Sequence, residues 1–153
     1  MAGSGTAHLR GHDDIVLRVE NLVMEFPVGR HQVVHAVSDV SFDIRRGETL
    51  GIVGESGCGK STTARAIVQL PPPTSGRVVL DPGTDQEAEL TALEGEDLRQ
   101  VRPRLQMIFQ DPISSLNPRR QVRDVVGEGL HIWSEGLDDE QIRARVDEVL
   151  EAV

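Results

Sequence analysis

Apolar residues in this chain come in short runs separated by turn-forming clusters, and the spacing inside each run predicts an element. Ile15–Met24, IVLRVENLVM, is rich in Val, Leu and Ile with partial alternation and predicts a strand. In HAVSDVSFDI, Val40, Phe42 and Ile44 alternate with Ser41, Asp43 and Arg45, the pattern of a strand with its apolar face in the core. RRGE supplies a turn before TLGIV, a continuous apolar run that suits a strand covered on both faces in a parallel α/β sheet. KSTTARAIVQL, from Lys60, predicts a helix that PPPTSG halts at Leu70. RVVL predicts a short strand, RLQMIF (Arg104–Phe109) a buried strand, and LEGEDLRQVR a short helix. VRDVVGEGLHIW reads as a helix despite its glycines. In the last segment Ile142, Val146, Val149, Leu150 and Val153 fall on one helical face, and Asp138, Asp139 and Glu140 load its N-terminal end.

Composition narrows the class. The 153 residues suit one ordinary domain or part of a larger one, and 38% hydrophobic with 27% charged residues fits a folded protein. Aromatics are 3%, so Val, Leu, Ile and Ala must build the core. A net charge of -9 argues against nucleic acid as the main partner, because phosphate backbones need a basic face. Cys58 is the single cysteine, which excludes an internal disulfide framework and fits a reducing cytoplasm. No apolar run approaches the roughly 20 residues that span a bilayer, so any membrane connection is expected through a partner protein. Residues 1–14 lack the apolar region of a secretory signal and are expected to form a flexible polar leader.

The chemistry concentrates in Gly54-Glu55-Ser56-Gly57-Cys58-Gly59-Lys60-Ser61, which matches G-x-x-x-x-G-K-[ST] between an apolar run and a helix. Glycines permit positive φ and let successive N–H groups converge on phosphate oxygens, while the helix N-terminus adds positive dipole. Lys60 would reach the β- and γ-phosphates, the Ser61 hydroxyl would ligate Mg²⁺, and Thr62 would add an α-phosphate contact. The pattern points to a nucleoside triphosphate site. Cys58 reads as a small filler within it.

VGESGCGKST, PPPTSGRVVLD and MIFQDPISSLNPRRQV, in this order, resemble the ATP-binding subunit of an ABC transporter, and within that family the ATPases of dipeptide, oligopeptide and nickel importers. The resemblance runs from about Leu17 to Val153. It implies an α/β fold: a P-loop NTPase (RecA-like) core with an antiparallel β subdomain and the start of a helical subdomain, incomplete at the C-terminus. Residues 15–153 would be the N-terminal portion of the ATP-binding domain, with the helical subdomain beginning at about 111. Phe26 falls where the family places the aromatic that stacks on adenine, and Gln110 where it places the glutamine that touches Mg²⁺ or the attacking water. Lys60 and Gln110 would thus be the catalytic pair, Ser61 and Gln110 the metal contacts, and ATP and Mg²⁺ the cofactors. DPISSLNP should face a membrane subunit.

The implied partners are transmembrane permease subunits, a second ATP-binding subunit and, indirectly, an extracytoplasmic solute-binding protein. The implied location is the cytoplasmic face of the membrane. Two departures qualify the resemblance. DPGTDQEAELTAL is longer than the family's usual turn, which a surface loop tolerates. An LSGGQ-like signature, a Walker B Asp-Glu pair and a switch histidine are expected further on, so residues 1–153 alone should bind nucleotide without turning it over. An ABC-type ATPase of DNA repair or chromosome maintenance, a P-loop small-molecule kinase and a non-catalytic interaction module are the competing readings.

Overall fold

The computed structural model describes residues 9–11, 14–30, 32–111, 116–133 and 136–153, so most of the expected leader and the centre of DPISSLNP lie outside the described residues. The chain divides into two compact units, Met1–Met107 and Ile108–Val153. In the first unit β1 (Ile15–Val28) and β2 (Gln32–Arg45) form a long hairpin, and β3 (Ser75–Leu80) and β4 (Ala88–Glu89) complete a four-stranded sheet ordered β2-β1-β3-β4. All its pairings are antiparallel.

Alternation decides what each face carries. Leu17, Val19 and Met24 of β1, Val37 of β2, and Val78 and Leu80 of β3 form one buried surface. Ala66 and Ile67 of α1 (Lys60–Ile67) pack on it, as do Leu90 in a short 3₁₀ turn and Leu98 and Val101 of α2 (Gly95–Val101). Val40, Phe42 and Ile44 join this core, as their spacing predicts, yet remain only partly buried. On the opposite face Ser41 and Asp43 are covered instead. Ser41 Oγ accepts from the Asn21 amide at 2.8 Å, and the Asp43 side chain, fully enclosed, lies between Arg10 at 2.9 Å and Arg18 at 3.4 Å. Arg10, expected in a free leader, is therefore fastened to the sheet.

Two expected strands do not form. TLGIV pairs with no strand among the described residues, and Leu50, Ile52 and Val53 are 39, 47 and 92% exposed. RLQMIF begins in a 3₁₀ turn at Arg102–Arg104, and Ile108 is 89% exposed. A doubly covered parallel strand is stabilised only by neighbours on both sides, and no such neighbours lie beside these runs among the described residues. The long loop after β3 is held from the 3₁₀ turn at Arg102–Arg104: Arg104 bridges the Asp81 carboxylate at 2.7 Å and the Gln86 carbonyl at 2.8 Å.

The second unit is a helical hairpin of α3 (Val122–Trp133) and α4 (Asp139–Glu151). Gly127 of α3 is buried against α4, where a β-carbon would make ordinary contact with Val146 Cγ2 at 3.4 Å. Of the apolar stripe on α4, Ile142 and Val146 are buried and Val149 is exposed. Asp138 and Gln141 form a reciprocal capping box at the start of α4.

Candidate phosphate-binding site

The glycine-rich loop leads from the unpaired apolar run into α1. Gly57 (φ +81°) and Gly59 (φ +96°) occupy the left-handed region, the backbone conformation that lets consecutive N–H groups converge on an anion. Gly59 is the N-cap of α1 and no side chain caps that end. The amides of Lys60, Ser61 and Thr62 have no acceptor within the helix, because the first turn of any helix leaves its donors open. No acidic residue lies in that first turn to compete for them. Thr63 ties the turn down instead, its hydroxyl donating to the Gly59 carbonyl at 3.0 Å.

Lys60 is folded onto the loop. Its Nζ donates to the carbonyls of Gly54 at 2.9 Å and Glu55 at 2.7 Å, and lies 3.6 Å from Cys58 Sγ. The ammonium is thus held against the loop near the open amides at the start of α1, and cation and helix dipole both favour an incoming anion. Cys58 fills the space above Gly54, where a β-carbon would stand 2.6 Å from its sulfur. Glu55, Ser56 and Ser61 are exposed and Thr62 is half-buried, so the Ser61 hydroxyl is available to a ligand.

Beside the loop lies a cavity of about 730 Å³, walled by Phe42, Leu50, Ile52, Val53, Cys58 and Lys60 among others. Arg10 and Asp43 also border it, a pair that sequence reasoning missed because Arg10 reads as leader and Asp43 as solvent-facing. Glu48 completes this cluster at 3.0 Å from Arg10. Its carboxyl is held below the usual range, first by the Arg45 backbone amide and then by Arg10. Phe26, 38% exposed, pairs with Val34 on the hairpin. That is two residues from Ala36, whose backbone meets Gly59. Phe26 and the loop therefore belong to one unit. Gln110 lies in the other unit, as an exposed residue at a bend. Among the described residues no group of three His, Cys, Asp or Glu side chains gathers as a metal site.

Known proteins resemble this chain over most of its length. The sequence model described as "ABC transporter" matches residues 37–153. A probable peptide ABC transporter ATP-binding protein of Sinorhizobium fredii is 48% identical over 121 residues, 75% of this chain and 33% of that protein. The oligopeptide transport ATP-binding protein OppF of Bacillus subtilis is 44% identical over 138 residues, 90% of this chain and 44% of that protein. The chain thus spans between a third and a half of these relatives. Among solved structures, the dimeric form of a bacterial ABC transporter cassette superimposes with a TM-score of 0.73 at 27% identity, covering 88% of this chain and 56% of that one. A Clostridium perfringens cassette, cbiO1, gives 0.67 at 28% identity, covering 91% of this chain and 50% of that one. The fold is that of the P-loop NTPase cassettes, represented here by the antiparallel sheet, the phosphate loop with its helix and the helical hairpin.

Proposed function

The chain belongs to the ABC transporter family, and from that membership we propose that it forms the phosphate-gripping part of the ATP-binding, energy-coupling subunit of an importer for di- or oligopeptides. The observation that carries the proposal is the uncapped start of α1 behind two left-handed glycines, with the Lys60 ammonium inside the loop. Open amides, helix dipole and cation together favour a polyphosphate, whose oxygens accept charge-assisted hydrogen bonds. Lys60 exchanges its two carbonyl partners for phosphate oxygens, or shares with them. Phe26 offers a flat apolar face for the base.

Residues fit a divalent cation only in part: Ser61 supplies one exposed hydroxyl, and Gln110 would add a second oxygen. Mg²⁺ characteristically arrives with nucleotide phosphates and waters as most of its ligands, so a single protein hydroxyl on the loop suits it. When bound, the ion neutralises phosphate charge. We expect residues 1–153 alone to bind ATP without hydrolysing it, and the whole protein to hydrolyse it.

The peptide cargo rests on the relatives named above, which are peptide and oligopeptide transport ATP-binding proteins. No helix among the described residues is long and apolar enough to cross a membrane. Association with permease subunits and a second ATP-binding subunit at the cytoplasmic face completes the proposal. Titration calorimetry with Mg·ATP tests the grip: saturable binding is expected, weakened at least tenfold in Lys60→Ala, and unchanged affinity in that variant would refute it. Phosphate release from ATP should stay at background. Release that disappears in Lys60→Ala would overturn the expectation of binding without turnover.

A further inference from the structure

The hairpin that carries Phe26 also seats the phosphate loop, through one irregular residue. On the β1–β2 ladder Met24 pairs with Val37 and Glu25 pairs with His35, so Ala36 is an extra residue on β2. A bulge of this kind bends its strand and re-aims the backbone groups of the extra residue. Here the bulge lies against the start of α1. A β-carbon at Gly59 would stand 2.3 Å from the Ala36 carbonyl oxygen, 3.4 Å from its carbon and 3.8 Å from Val37 Cγ2. The left-handed residue from which the phosphate-facing helix departs therefore rests directly on the Ala36 peptide. Phe26 is fixed on the same ladder opposite Val34, two residues away, roughly 7 Å along the strand.

We propose that the Ala36 bulge is a positioning and specificity element: it fixes the separation between the Phe26 face and the phosphate loop, so that a nucleoside triphosphate is held at both ends and preferred over an inorganic polyphosphate. The proposal rests on the reading of Phe26 and the loop as base and phosphate sites. The Ala36 side chain contributes nothing to it; what matters is the extra peptide, which lifts the seat under Gly59 relative to the neighbouring ladder. Precise separation of two subsites is what converts two weak grips into one strong one, since the second contact then forms without a further loss of translational freedom.

Removal of the extra residue is a clean perturbation. Deletion of Ala36 leaves Met24 opposite Val37 and Glu25 opposite His35, so side chains on both flanks keep their faces. Insertion of a second alanine after Ala36 enlarges the bulge and preserves the same flanks. Binding of ATP and of inorganic tripolyphosphate is measured for the whole chain and both variants, with circular dichroism establishing that each variant folds. The wild-type chain should bind ATP at least tenfold more tightly than tripolyphosphate. Both variants should weaken ATP about tenfold and leave tripolyphosphate within threefold, erasing the preference. A folded variant that keeps the wild-type ratio within twofold overturns the role of the bulge while leaving the base and phosphate sites standing. Equal wild-type affinity for the two probes refutes the Phe26 reading and the proposal together, and binding of neither refutes the phosphate loop itself.

Discussion

Two glycines show how one residue type answers two different demands. Gly57 has φ +81° and open space where a β-carbon would be, so only its backbone angle requires glycine. Gly76 has φ +100°, and a β-carbon there would lie 2.5 Å from the Asn21 carbonyl oxygen and 2.7 Å from Leu22 Cα. β3 runs flat against β1 where Asn21 itself turns left-handed at φ +49°, a conformation that Asn tolerates and that its side-chain bond to Asp39 Oδ1 at 2.7 Å reinforces. Alanine at 57 should therefore cost about 1 kcal/mol, the strain of a left-handed non-glycine residue. Alanine at 76 adds a backbone clash and should cost about 3 kcal/mol or more. Urea denaturation of the two variants decides the matter, and equal losses would show that the close approach of β3 to Asn21 is not limiting. At the phosphate loop Gly59 combines both demands, which is why its replacement separates folding from binding less cleanly than a change at Ala36.

At the scale of elements, ion pairs and caps fasten what the core does not. Arg77 on β3 reaches Glu20 on β1 at 3.1 Å and Glu89 on β4 at 2.7 Å, tying three strands across the polar face. The hydrogen bond from Arg77 holds the Glu89 carboxyl below its ordinary value of 4.5, and Glu89 in turn raises Arg77. A carboxyl whose folded pKa is depressed contributes stability above its unfolded pKa and loses it as pH falls through the folded one. Arg77→Gln should thus cost up to about 1 kcal/mol at pH 7, since the pair is largely exposed, and the difference from wild type should shrink as pH falls below 4.5 and through the lowered pKa of Glu89. A gap unchanged at pH 3 would mean packing, not charge, links the strands. Asp138→Ala, which removes the capping box of α4, should cost about 1 kcal/mol and reduce helicity by circular dichroism. Both helices of this hairpin were legible in the sequence because a 3.6-residue stripe and a cap are local signals. The strands β1 and β2 were legible from their own alternation, but their extension to Val28 and from Gln32, which makes them a hairpin, was not. TLGIV and RLQMIF misled because apolarity states that a run needs covering, not that its cover is adjacent. The burial of Asp43 was hidden because it depends on Arg10, which sits 33 residues away and carries no pattern of its own, and that of Ser41 because its partner is the Asn21 amide across the hairpin. The phosphate loop was fully written in eight residues, whereas its seat on Ala36 depends on a register shift that no motif records.

For the whole molecule, stability is unevenly spread between the two units. The first unit encloses a cluster that includes Leu17, Val19, Leu22, Met24, Val78 and Leu80, with α1 laid upon it. The second buries Ile142 and Val146 against Gly127 and leaves Val122, Ile132, Trp133 and Val149 between 42 and 64% exposed. Two helices burying so few apolar side chains lie near the lower limit at which a single core sustains itself. Within this chain the ABC transporter fold thus combines a firm unit that carries the glycine-rich loop with a weakly self-supporting helical one. Local opening tracks buried apolar contact, so amides in α3 and α4 should exchange with solvent at least a hundredfold faster than those of central β1 around Val19. Val146→Ala, which widens the gap over Gly127, should accelerate exchange in both helices about tenfold further while leaving β1 unchanged. Hydrogen exchange read by mass spectrometry checks both statements. Equal protection in the sheet and the helical hairpin, or an acceleration of β1 exchange that follows Val146→Ala, would show that the two units open as one.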